Sequence, residues 1–285
     1  MKLERKYILE LIKRALDEDN SYCDITTRSL IPPTQRITVE IISKDTGIIC
    51  GLDIAREIFK FSDKNCIWRA KLKDGDKIKP NTTVAIIKGS ARNILSKERT
   101  VLNFLQHLSG ISTLTNKFVK KIKNRVKIYD TRKTLPGLRK IEKYAVLCGG
   151  GYNHRNNLSE MVLIKDNHLK VCSQIKLPII QGINSVYYKI PRGTKIEMEV
   201  QNLRQLNIAL KSNCVNIIML DNMSVKTLKK AIKIIRKVNK NIEIEVSGGI
   251  NFKNIEKISK LDIDRISIGS LTNSAPILDI SLEIV

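Results

Sequence analysis

The stretch "NIIMLDNMSVKTLKKAIKIIRKVNKNIEIEVSGGI", Asn216 to Ile250, holds one complete structural sentence. A continuous apolar run ends in Asp221, Ser224 caps a helical segment, and a second apolar run ends in Ser247, Gly248 and Gly249. Apolar runs without alternation are strands buried on both faces, and strands alternating with helices form parallel sheets. Working outward, the same unit recurs from Val126 onward. The runs are "VKIYD", "MVLIKD", "IEMEV", "NIIMLD", "IEIEVSGG" and "RISIGS", and Asn251 is expected to cap a further helix, "FKNIEKISKL". The later units repeat at the spacing of a closed β/α barrel, and an open doubly wound sheet has a similar pattern.

The first third reads differently. Leu3, Tyr7, Ile8, Leu11, Ile12 and Ala15 share one face of a helix over 2–16. Between Ile37 and Lys88 lie short β-rich runs, "ITVEIISKDTGIICG" and "TTVAIIKG", around a helix from Leu52 to Phe59. A second helical region runs from Ser90 to Lys123.

Bulk numbers set the frame. The chain has 285 residues with 42% apolar content, enough for a packed core, and 51 basic less 28 acidic residues give a net charge of +23. The lysines are spread along every segment, so they read as solvated surface; with 5% aromatic residues and no nucleic-acid motif, a nucleic-acid-binding role is disfavoured. Six scattered cysteines show neither a Cys-x-x-Cys pair nor a neighbouring His at metal spacing, which argues against a disulfide framework or a zinc site. No signal-like or membrane-spanning run is visible, and the cytoplasm is the expected compartment.

Residues just past the carboxyl ends of parallel strands converge on one face. Those positions hold Arg132 and Lys133 after "KIYD", Lys165 and Asp166 ending "MVLIKD", Glu199, Asp221, Ser247 with Gly248 and Gly249, and Gly269 with Ser270. The two glycine turns read as a phosphate cradle, helped by the N-termini of the helices that follow. Glu199 and Asp221 suit ribose hydroxyls or a magnesium ion shared with pyrophosphate. Arg132, Lys133, Arg155 and Lys165 form a cationic basin for carboxylates. His154 joins it by position after "CGGGYN", where Gly149 to Gly151 end a helix; His107 and His168 read as structural.

These residues carry a resemblance. "TRKTLPGLRKIEKYAVLCGGGYNHRNNLSEMVLIKDNH", Thr131 to His168, with "KERTVLNFLQHLSGIST" upstream and "EMEV", "IIMLDN", "EVSGGI" and "ISIGSLTNSAPILDISL" downstream, closely resembles the quinolinate phosphoribosyltransferases, also called carboxylating nicotinate-nucleotide pyrophosphorylases. The likeness covers nearly the whole chain. It implies an α/β protein with an N-terminal open-faced α/β sandwich (residues 1–106, completed by 271–285) and a C-terminal irregular β/α barrel (107–270). It also implies a homodimer or larger assembly in which Arg99 of "ERTVLNFL" enters the neighbouring subunit's site. By the resemblance, Arg99, Arg132, Lys133, His154, Arg155 and Lys165 bind quinolinate. Glu199 and Asp221 face the ribose and magnesium pyrophosphate, and Ser247, Gly248, Gly249, Ser267, Ile268 and Gly269 hold the phosphate. Phosphoribosyl pyrophosphate with Mg2+ is the implied donor, no organic cofactor is required, and neither nucleic acid nor membrane is an expected partner. A molybdenum-associated branch of the same fold shares similar "TRKT" and "HR" motifs; the intact "LIKDNH" and the full cationic set favour quinolinate. Two departures stand out: Asn81, where a turn glycine is common in the family, and Asn273, where many members have histidine.

Overall fold

The computed structural model describes residues 3–285, so Lys2, the expected start of the first helix, lies outside the described residues. The chain folds as two compact units. One comprises residues 1–117, 134–150 and 270–285, the other residues 118–133 and 151–269.

The first unit begins with α1 (Arg5–Glu18), whose Ile8, Leu11, Ile12 and Leu16 are buried, and α2 (Ile25–Leu30), capped by the Asp24 carboxylate. Next come β1 (Arg36–Ser43), β2 (Gly47–Ile48), α3 (Leu52–Lys60), β3 (Ile67–Ala70), β4 (Lys77–Ile78) and β5 (Thr82–Ser90). Val39, Ile41 and Ser43 alternate inward along β1, the period of a sheet buried on one face. The expected helical region over 90–123 is broken into α4 (Ala91–Leu95) and α5 (Glu98–Lys121), with Ser96 and the buried Lys97 between them. Asn81, at the position of the common turn glycine, has φ of 65°, a left-handed conformation that asparagine tolerates.

The second unit is built on β6 (Lys127–Tyr129). In chain order come α6 (Arg139–Cys148), which belongs to the first unit, then β7 (Val162–Ile164), α7 (Asp166–Gln174), α8 (Ile179–Lys189), β8 (Ile196–Val200) and α9 (Leu203–Ala209). They are followed by β9 (Ile217–Asp221), α10 (Val225–Val238), β10 (Glu243–Ser247), α11 (Ile255–Ile258) and β11 (Arg265–Ser267). The chain returns to the first unit with α12 (Ser270–Asn273) and β12 (Ile280–Ile284). There β12 pairs antiparallel with β1, giving the order β12-β1-β5-β3.

In the second unit six strands pair in parallel in the order β6-β11-β10-β9-β8-β7. Ile217, Ile218, Leu220, Ile244, Val246 and Ile266 are buried, as two covered faces require. Among the described pairings β6 and β7 do not join each other; Tyr152 bridges in parallel to Tyr129 beside β6, so the barrel-like sheet is irregular there. Ser224 caps α10 as the sequence reads, its hydroxyl accepting from the Thr227 N–H at 3.2 Å. Asn251 does not cap a long helix. Its carboxamide oxygen accepts from the N–H groups of Lys253 and Asn254 in a local turn, and only Ile255–Ile258 are helical.

Candidate active site

The strand ends of the second unit enclose a polar cavity of about 400 Å3 lined by Thr131, Arg132, Lys133, His154, Arg155, Leu163, Lys165, Glu199, Met219, Asp221, Asn222, Ser247, Gly248, Gly249 and Ser267. Eleven of the expected site residues therefore meet in one place. Ile268 and Gly269 follow Ser267 in the chain, with Ile268 buried and its N–H bonded to the Tyr129 carbonyl at 3.0 Å. Arg99 is placed elsewhere. It lines a cleft of about 510 Å3 in the first unit, with Arg14, His107, Phe104 and Leu135 among its neighbours.

Two segments distant in sequence supply the cations, and a buried carboxylate joins them. Asp130, fully buried at the end of β6, accepts the His154 N–H at 2.9 Å, which fixes 154–155 against the backbone that carries Arg132. His154 Nδ1 then accepts the Arg155 N–H at 2.9 Å, and Nε2 lies 3.0 Å from Glu197 and 3.7 Å from Glu245. Nδ1 is thereby an acceptor, which puts the ring proton on Nε2, facing carboxylates. The Arg155 guanidinium donates to the Met161 carbonyl at 2.8 Å. Burial, then the nearby positive charge of Arg132, pushes the Arg155 pKa down, opposed by Glu197. Cations held this close carry a repulsive cost that an anionic ligand offsets.

Glu197 and Glu245 were not anticipated. Both are completely buried beside His154, and Glu245 is held well above the usual carboxylate range by burial and by the charge of Glu197. Burial and a neighbouring carboxylate both disfavour the ionised form of Glu245. The signal was present in the period-2 pattern of "IEMEV" and "IEIEV": Glu197 and Glu199, like Glu243 and Glu245, occupy alternate positions of a strand.

Glu199 and Asp221 end neighbouring strands, β8 and β9, on the cavity wall. Burial raises the Glu199 pKa, Asp221 raises it further, and Lys165, 3.8 Å away, pulls it down. Two half-buried carboxylates on neighbouring strands fit a hard divalent cation, which prefers oxygen ligands. Lys165 also begins α7, where its N–H donates to His168 Nδ1 at 2.9 Å; His168 serves that helix start.

The glycine turn after β10 is conformationally demanding. Gly248 has φ of 84°, and a Cβ there would lie 2.7 Å from the Asn222 backbone nitrogen, so the turns after β9 and β10 pack backbone to backbone. The next helices, α11 and α12, have only four residues each. The helix dipole expected to help at these turns is correspondingly small.

Family models match both parts of the chain: quinolinate phosphoribosyl transferase, N-terminal domain, over residues 24–109 and the C-terminal domain over residues 111–283. A probable carboxylating nicotinate-nucleotide pyrophosphorylase of Methanocaldococcus jannaschii is 41% identical, covering 99% of this chain and 98% of its own length. The carboxylating nicotinate-nucleotide pyrophosphorylase of Mycobacterium leprae is 34% identical with 96% of each chain covered. Among solved structures, the nicotinate-nucleotide pyrophosphorylase of Ehrlichia chaffeensis superposes with a TM-score of 0.90 at 38% identity, covering 100% of both chains.

Proposed function

The chain belongs to the quinolinate phosphoribosyltransferase family, and from that premise we propose that it makes nicotinate mononucleotide for de novo NAD synthesis. It transfers the phosphoribosyl group of phosphoribosyl pyrophosphate to quinolinate, releasing pyrophosphate and carbon dioxide. The observation that carries this reading is the single cavity where Arg132, Lys133, Arg155 and Lys165 stand beside Glu199, Asp221 and the Ser247–Gly249 turn. A dicarboxylate, a ribose and a phosphate each find complementary chemistry there.

Arg132, Lys133, Arg155 and Lys165 grip the two carboxylates and hold the ring nitrogen toward the ribose. A ligand with one carboxylate leaves cations unpaired, which gives selectivity. His154 serves the pocket by fixing Arg155, since its nitrogens face the Arg155 N–H and Glu197. The ring nitrogen's lone pair forms the bond to the anomeric carbon as the bond to pyrophosphate oxygen breaks. Charge develops on both the sugar and the leaving group, so positioning and electrostatic stabilisation are the protein's main contributions. The nitrogen is then positive and accepts the electron pair when the adjacent carbon–carboxylate bond breaks; a proton from solvent replaces the carbon dioxide. Glu199 and Asp221 would hold Mg2+, which when bound neutralises pyrophosphate charge. The amides of Ser247, Gly248 and Gly249, with Ser267, Ile268 and Gly269, receive the sugar phosphate. The protein works in the cytoplasm as a homodimer or larger assembly, and Arg99 completes the site of the neighbouring subunit.

The test is turnover of purified protein with quinolinate, phosphoribosyl pyrophosphate and magnesium. Equimolar carbon dioxide and nicotinate mononucleotide are expected. Turnover with another base and none with quinolinate overturns the reading.

A further inference from the structure

Away from the cavity, the first unit gathers a second set of metal-ligating groups. The Cys50 thiol, the Cys148 thiol and an Asp74 carboxylate oxygen all lie within 4.8 Å of one another. They come from three segments far apart in the chain: the residue before the Gly51 cap of α3, the turn between β3 and β4, and the last residue of α6. That separation is why no sequence spacing announces them.

The surroundings hold two of the three ligands in place. Asp74 Oδ1 accepts the N–H groups of Gly51 and Leu52, each at 3.0 Å, and Oδ2 accepts the Tyr144 hydroxyl at 2.8 Å. The Cys50 backbone is pinned on both sides by Ser109: its N–H donates to the hydroxyl oxygen at 3.0 Å, and that hydroxyl donates to the Cys50 carbonyl at 3.3 Å. Such outer-layer hydrogen bonds are what orient the ligands in protein metal sites. Cys50 is fully buried, while Cys148 and Asp74 are partly exposed, which gives an ion a way in.

We propose that Cys50, Cys148 and Asp74 form a binding site for a thiophilic divalent cation of the zinc type, separate from the catalytic cavity and from its magnesium chemistry. Zinc sits about 2.3 Å from thiolate and about 2.0–2.2 Å from carboxylate oxygen, so tetrahedral ligands are about 3.5–4 Å apart. The three groups reach that spacing by moving roughly an ångström or less, and solvent takes the fourth position. Two sulfur ligands select zinc or cadmium over magnesium and calcium. The site adds a cross-link between the strap before α3 and the end of α6, just before Gly149–Gly151.

The experiment is a cadmium titration of the full-length, metal-free protein kept reduced with a phosphine, read by the ultraviolet thiolate-to-cadmium charge-transfer band. One equivalent is expected to saturate the band, zinc to displace the cadmium, and magnesium to leave it in place. Cys148→Ser is expected to weaken binding by at least about tenfold, whereas Cys172→Ser, on α7 in the other unit, leaves it unchanged. Absence of the band in the unsubstituted protein, or an equal band in Cys148→Ser, overturns the proposal. The readout does not depend on turnover, so it stands apart from the assigned reaction.

Discussion

The clefts of the two units both contain cations and differ in how many they gather and in what accompanies them. In the first unit Arg14, Arg99 and His107 line a cavity of about 510 Å3 together with Leu11, Ala15, Phe104, Leu135, Pro136 and Leu138, and with Glu18 and Asp19 among the same walls. Two of its polar groups are committed within the unit: His107 pairs with the buried Glu142 at 2.9 Å, and Asp19 accepts the Thr100 hydroxyl at 3.2 Å. The second unit's smaller cavity of about 400 Å3 sets arginines and lysines beside carboxylates and glycine amides. The larger space is lined mainly by apolar surface; the smaller one is lined mainly by charged and polar groups. The presence of cations alone does not separate them, and convergence of several kinds of group does.

Removing a basin cation is the harshest test of this contrast. Arg132→Ala and Arg155→Ala are expected to lower kcat/KM by about 10³-fold, the scale of stripping one partner from a buried charge pair, with the thermal midpoint nearly unchanged. A fall in the midpoint without a matching loss of kcat/KM would make these arginines structural.

Lys97 offers the reverse case. It is 2% exposed in the first unit, and burial lowers its pKa from 10.5 to about 8. The unfolded chain then binds more protons than the folded one between those values, so stability rises with pH from about 8 to 10.5 and is lost as pH falls through 8. The full swing is about 3 kcal/mol. Lys97→Met removes it, and Ser62 and Asn93, both bonded to the ammonium, keep their mutual hydrogen bond at 3.0 Å. Denaturant unfolding across this window should show the slope in the unsubstituted protein and a shallower one in the variant, with kcat/KM the same in both. A variant that keeps the slope would assign it to other groups.

Gly248→Ala probes the backbone of the cavity. The positive φ and the close approach to Asn222 imply strain of roughly 1–3 kcal/mol, expected as a higher KM for phosphoribosyl pyrophosphate with quinolinate binding largely kept. An equal effect on both substrates would remove the turn from a dedicated phosphate role. The mildest expected signal joins the two clefts: mixed Arg99→Ala and Arg132→Ala subunits should recover about a quarter of normal activity, because half the pairs are mixed and each has one intact site. No recovery despite confirmed subunit exchange would confine Arg99 to its own subunit.

The sequence made the second unit's mouth legible because strand ends sit at fixed offsets from apolar runs; Arg132, Lys165, Glu199, Asp221 and Ser247 all fall there. What lay below the mouth was harder to read. Asp130, Glu197 and Glu245 are interior groups whose partners come from other strands, and only pairing order brings them to His154. Local competition hid the rest: turn bonds at Asn251 shorten the helix after β10, and the buried Lys97 marks the break between α4 and α5. The cluster of Cys50, Asp74 and Cys148 depends on contacts between distant segments, which spacing rules cannot see.

The most direct test is a crystal structure with phthalate, an unreactive dicarboxylate close in shape to quinolinate. The expected result is both carboxylates bound by Arg132, Lys133 and Arg155 in the second unit, with Arg99 of a neighbouring subunit closing over them. Phthalate seated only against Arg14 and Arg99 of the first unit's cleft would contradict the assignment of the strand-end cavity as the site.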